Sequence, residues 1–169
     1  GTIDAERLTP LRGGDVHLYS PPAGKMAAFP TEETAMPLTT SDKVEIIELA
    51  ARYSHAIDHL DANAYSEVFT EDGELYADGK LRATGHAALA ENVRKAAAAG
   101  LKRRHWNCNP VIDGDGKTAR LRLYIMAVEY SKSLTPYLMG EYDDVLVKVN
   151  GKWKFKLRRV NLCAGAMIV

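Results

Sequence analysis

Between Ser41 and Leu60, apolar residues recur at helical spacing. Ile46, Leu49, Ala50, Tyr53, Ile57 and Leu60 form one stripe, and Glu45, Glu48, Arg52, His55 and His59 fall on the opposite face. Asp42, with Glu45 three residues on, predicts an N-cap in a capping-box spacing. Asp58 breaks the pattern, because it falls beside Ile47, Ala51 and Ser54 on the apolar flank. A carboxylate there is costly to bury alone, so the helix predicts a partner from elsewhere in the chain.

Asp61 is placed to cap a short helix over Ala62 to Phe69, with Tyr65, Val68 and Phe69 inward. Glu71-Asp72-Gly73 reads as a turn, and Glu74–Ala77 and Lys80–Thr84 as a hairpin around Asp78-Gly79. An alanine-rich helix follows from Gly85 to Gly100. The pattern then changes to period two. Strands are predicted over Leu101–Ile112 (bent or bulged at Pro110), Thr118–Lys132, Tyr137–Val149 and Lys152 to about Cys163, with Asn150-Gly151 as a hairpin turn. Helices followed by long antiparallel strands define an α+β domain, its helices packed against one curved sheet. Residues 41–169 carry this domain. Residues 1–40, with five prolines and no sustained periodicity, read either as an extended or flexible arm or as an arm that packs across a neighbouring subunit, with Leu8, Leu11, Val16, Leu18, Tyr19, Met26 and Phe29 as its anchors.

Composition narrows the function. The 169 residues carry 22 basic and 22 acidic side chains, a formal net charge of zero, which argues against a nucleic-acid footprint. No apolar run approaches a membrane span. Two cysteines, Cys108 and Cys163, give no disulfide framework, and the opening lacks a secretory pattern, so a cytoplasmic setting is expected. His55 and His59 are spaced for a metal, but no third ligand accompanies them and no metal is expected.

The candidate partner for Asp58 is His105. In Arg104-His105-Trp106-Asn107-Cys108-Asn109 the alternation puts His105, Asn107 and Asn109 on one face and Trp106 and Cys108 on the other. The polar row faces either water or a pocket; if a pocket, Asp58 meets an imidazole there. A carboxylate on one ring nitrogen fixes the tautomer and leaves the other nitrogen as a general base. Tyr53 is either a core residue or a hydrogen-bond donor to a carbonyl or leaving group. Alternation on the last strand groups Arg159 with Trp153, Phe155 and Leu157, so Arg159 is the inward arginine by that count. An inward arginine suits a developing oxyanion. Trp106 and Tyr142 are further candidates for the cavity wall.

Several short patterns occur in a specific order: Ile46-x-x-Leu49-x-x-x-Tyr53-x-x-x-Ile57-Asp58-x-x-Asp61, Phe69-Thr70-x-Asp72-Gly73, His105-x-x-x-Asn109, Gly140-x-Tyr142 and Gly151-x-Trp153-x-Phe155. Together they resemble the SnoaL-like family, within the cone-shaped fold typified by nuclear transport factor 2, over roughly residues 41–163. The nearest enzymes in pattern are scytalone dehydratase, bile-acid 7α-dehydratase and hexachlorocyclohexane dehydrochlorinase. The resemblance implies a cone-shaped barrel and a cofactor-independent His–Asp dyad, with Asp58 as the aspartate and His105 as the base. It implies Tyr53 as an assisting tyrosine and, counted from Trp153, Arg158 rather than Arg159 as the pocket arginine. It also implies a homodimer or homotrimer joined through the outer sheet face. The expected activity is a lyase, a dehydratase or related elimination, on a bulky hydrophobic ring substrate. An isomerase or polyketide-type cyclase using the same dyad, and a non-catalytic binding or assembly module, are the alternatives.

Overall fold

The computed structural model describes residues 37–131 and 134–165. The anchors expected in the arm lie outside these residues. Three helices and six strands follow in the order α1 (Thr40–Asp58), α2 (Ala62–Glu67), β1 (Phe69–Ala77), β2 (Lys80–Thr84), α3 (Gly85–Ala98), β3 (Arg103–Gly114), β4 (Thr118–Glu129), β5 (Thr135–Val149) and β6 (Lys152–Gly165). The strands form one curved sheet, ordered β2-β1-β6-β5-β4-β3. Only the β1–β6 pairing is parallel; the other neighbours run antiparallel. This is the expected α+β architecture.

Local chemistry explains most of the junctions. Asn150-Gly151 and Asp78-Gly79 both take the left-handed backbone a two-residue hairpin requires, with φ of 50° and 77° and of 49° and 73°. The start of α1 departs from expectation. Thr39 is the N-cap and Asp42 sits three residues inside, the two completing a reciprocal capping box. Glu71-Asp72-Gly73 is not a turn but part of β1, whose register with β6 shifts between Phe69 and Glu74. Gly73 is needed there: a Cβ would sit 2.8 Å from the Phe69 Cβ and 3.1 Å from the Phe155 carbonyl oxygen.

The apolar stripe of α1 packs into the concave face of the sheet. Ile46, Leu49, Ala50 and Tyr53 are buried with Tyr65, Phe69, Leu121, Leu146, Trp153 and Phe155. Tyr53 meets the rings of Tyr65, Phe69, Tyr142 and Phe155 at 4.9 to 6.0 Å, giving an aromatic centre with edge and tilted contacts. The convex face, in contrast, leaves Trp106, Tyr124, Met126 and Met139 exposed.

Candidate active site

The site is built at the C-terminal end of α1, where the helix crosses β3. Asp58 is the last helical residue, and its flank faces the sheet. Its Oδ1 lies 2.6 Å from Nδ1 of His105, and its Oδ2 accepts the His105 backbone N–H at 2.9 Å. Both oxygens are therefore held by one residue, which fixes the carboxylate and the ring together. The two side chains are only 5% and 8% exposed. Arg104 donates to the Asp58 carbonyl oxygen at 3.2 Å, fastening the helix end to the strand from the other side.

The inward row of β3 is thus the polar one. Asn107, two residues beyond His105, donates to Ser54 Oγ at 2.8 Å and to the Ala50 carbonyl at 3.3 Å. It ties β3 to α1 and does not line the cavity. Asn109 does not continue the row. Cys108 pairs with Tyr124 and Val111 with Arg122, so the strand bulges between them, and Asn109 adopts φ 56° and is exposed. Trp106 lies on the convex face, half exposed. The expectation that Asn109 and Trp106 line the cavity is corrected by the bulge and by strand phase, respectively.

A cavity of about 50 Å³ opens beside the dyad, lined in part by Tyr53, Ile57, His105, Tyr137, Tyr142 and Val160. Tyr53 shares a 3.1 Å hydrogen bond with the Tyr65 hydroxyl. Burial pushes the phenols of Tyr65 and Tyr142 well above the ordinary tyrosine value, so both stay protonated.

The two arginines of β6 fall on opposite sides. Val145 pairs with Leu157 and Leu146 with Phe155, so Lys156 is an extra residue that shifts the phase of the strand. The bulge turns Arg158 inward and leaves Arg159 exposed, correcting the alternation count. Arg158 does not reach the cavity wall. It is fully buried and pairs with Asp144 through two hydrogen bonds of 2.7 and 3.0 Å. The rings of Tyr53, Tyr142 and Phe155 cover it at 3.9 to 4.1 Å.

Sequence reasoning missed Arg103, Tyr137, Arg82 and Asn92, which also line this cavity. Period two from His105 would have flagged Arg103; Arg82 and Asn92 reach it through β2 and α3, whose placement no local pattern encodes. Elsewhere, a more open groove of about 670 Å³ runs along the charged face of α1. There His55 and His59 stack with ring centres 5.7 Å apart. Among the described residues no cluster of three or more His, Cys, Asp or Glu could hold a metal. No helix among them is long and apolar enough to cross a membrane.

Comparison with known proteins places the chain in a family. The chain belongs to the SnoaL-like domain family, which matches residues 39–159 and includes polyketide cyclases and dehydratases. Among solved structures, a cystatin-like-fold protein of unknown function from Nostoc punctiforme is 31% identical, with a TM-score of 0.68 over 75% of this chain and 95% of its own. A protein of unknown function from Mycobacterium tuberculosis is 29% identical, with a TM-score of 0.68 over 72% of each chain. A protein provisionally described as a scytalone dehydratase, from Novosphingobium aromaticivorans, is 27% identical, with a TM-score of 0.65 over 76% of this chain and 90% of its own. No curated protein matches the chain significantly.

Proposed function

We propose that this protein is a cofactor-independent lyase, a dehydratase or related elimination enzyme, acting on a hydrophobic ring substrate. The observation that carries the reading is the Asp58–His105 contact of 2.6 Å at the edge of a cavity. Asp58 occupies Nδ1 and so leaves Nε2 as the base. Nε2 takes a proton from the carbon next to a carbonyl. The electron pair of that C–H bond forms the new double bond as the C–O bond breaks, and the departing hydroxide takes the proton back from the His105 imidazolium, leaving as water and restoring the neutral base. Tyr53 lies on the cavity wall as the donor to the departing or enolising oxygen. Arg158 acts from behind, its charge holding the rings of Tyr53 and Tyr142 in place rather than touching the substrate. About 50 Å³ is a third of the roughly 150 Å³ that accommodates a benzene. A ring therefore enters only when side chains of the wall move aside.

The test is a panel of aryl β-hydroxy ketones followed by mass spectrometry. Loss of one water, removed by His105→Ala, supports the lyase; an unchanged mass with a shifted double bond supports the isomerase; full turnover by His105→Ala ends the dyad reading.

The homodimer or homotrimer and its interface are part of the same proposal. Trp106 stands opposite Met126, and Met126 opposite Met139, so three strands present a continuous exposed apolar row on the convex face. A second copy covering that row is the expected partner. A monomeric mass at micromolar concentration in solution scattering argues against it.

A further inference from the structure

The cavity holds a positive charge that the dyad chemistry does not use. Arg103 precedes His105 by two residues on the same face of β3, so both side chains point into the same space. Arg103 is only 7% exposed. Its Nη1 donates to the Tyr137 hydroxyl at 2.6 Å, and its Nη2 is buried with no hydrogen-bond partner. None of the ion pairs among the described residues includes Arg103. Glu129 stands opposite it on β4, and Glu129 Oε1 accepts the Ser131 N–H. The buried carboxylates of Asp58 and Asp144 are committed elsewhere, to His105 and to Arg158.

A buried guanidinium with a free N–H is expensive unless something completes it. What completes it must be an acceptor, and an anionic oxygen gives the strongest bond. Tyr137 adds a second donor. Its oxygen accepts from Arg103, so its own O–H remains to point at a ligand, and burial pushes the phenol above its ordinary value, which keeps that proton on. Arg82, on β2, adds further positive charge to the same cavity.

We propose that Arg103 and Tyr137 form an oxyanion subsite beside His105 and that the substrate places an anionic oxygen there. That oxygen is either a carboxylate present in the ground state or an enolate that develops as the proton leaves. The subsite deepens the lyase reading by naming a substrate class, and it rests on that reading for the enolate case. It sets specificity: neutral hydrocarbons leave Nη2 orphaned and bind poorly.

Binding of small probes to the purified full chain tests this without turnover. Benzoate and benzamide share a shape and differ in charge; 4-nitrophenol reports its own ionisation through visible absorbance. If the anion is a ground-state carboxylate, benzoate binds about tenfold more tightly than benzamide, equivalent to about 1.4 kcal/mol. If it is enolate-like, bound 4-nitrophenol ionises at lower pH than the free probe. Arg103→Gln erases either effect, Arg103→Lys retains part of it, and thermal melting checks that both variants are folded. His105→Asn preserves the anion preference, which separates the subsite from the dyad. The subsite is overturned if benzoate binds no better than benzamide and the ionisation of 4-nitrophenol is unmoved, or if Arg103→Gln leaves a preference intact. Either of those results leaves the His105 chemistry standing.

Discussion

Two buried acid–base pairs sit a few residues from the same tyrosines and are satisfied in different ways. Asp144 and Arg158 are both fully buried, and three aromatic rings cover the guanidinium. Asp58 and His105 are nearly as buried, but His105 forms part of a cavity wall. The charge in the first pair is spent internally: two parallel hydrogen bonds join guanidinium to carboxylate. In the second, one ring nitrogen is spent and the other remains available. Burial alone therefore does not mark a site of chemistry. What separates the pairs is an unspent atom with room in front of it.

The difference breaks most visibly at His105. His105→Ala should lower turnover by roughly 10²–10⁴, the range of a positioned general base. Its effect on folding should be far smaller, because the backbone N–H of residue 105 still binds Asp58 Oδ2. Steady-state rates beside urea melts of the same samples separate the two effects. A variant that unfolds while keeping its rate per folded molecule would make this pair structural too.

At Arg158 the expectation reverses. Burial pushes the Asp144 carboxyl up, to about 6, although Arg158 pulls against it, so the pair is ionised at neutral pH. Arg158→Met strands that carboxylate and should cost about 3–5 kcal/mol. Arg158→Met combined with Asp144→Leu should recover most of the loss, since neither charge remains to be solvated. Equal stability of the single and double variants would mean that the pairing matters less than the space filled. If Arg158 positions Tyr53 and Tyr142, the double variant remains folded yet turns over more slowly.

Next in size is the convex face. Trp106→Glu with Met126→Glu should shift any dimer or trimer to monomer, read by multi-angle light scattering, with little change in the melting of the monomer, because both side chains are exposed. An unchanged mass would move the interface elsewhere.

These contrasts were unequally legible in the sequence. The odd position of Asp58 on its helix and the period of two around His105 were local facts, and together they named the pair. The α+β order of elements was equally local. Phase beyond a bulge was not. The extra residue at Lys156 exchanged the roles of Arg158 and Arg159, and the bulge before Val111 removed Asn109 from the polar row. A bulge changes the count by one, and one is half the period of a strand. Nor did the sequence reveal that Arg158 would be covered by rings, because Tyr53, Tyr142 and Phe155 come from three separate elements.

The smallest expected effect lies at the other end of α1, where a third buried acid has a purely structural task. Asp42 Oδ1 accepts from Lys148 at 2.6 Å and from the Trp153 indole at 3.0 Å, while Oδ2 accepts from the Thr39 backbone and hydroxyl. Lys148 first, then Thr39 and Trp153, hold its carboxyl well below the usual range. A carboxyl that is more acidic folded than unfolded contributes its stability in full above the unfolded value, near pH 4, and loses it as pH falls toward the folded value. Asp42→Asn removes that dependence and leaves the Thr39 donors short of an acceptor. The variant should be about 1–3 kcal/mol less stable near pH 6, the cost of unmade buried hydrogen bonds. The gap should narrow below about pH 4 as the wild-type carboxyl takes up its proton. Asp72 and Asp115, also held low, titrate alike in both proteins and cancel from the difference. Urea melts across that range decide the point: parallel curves would mean that the first turn of α1 is anchored by packing and not by this charge.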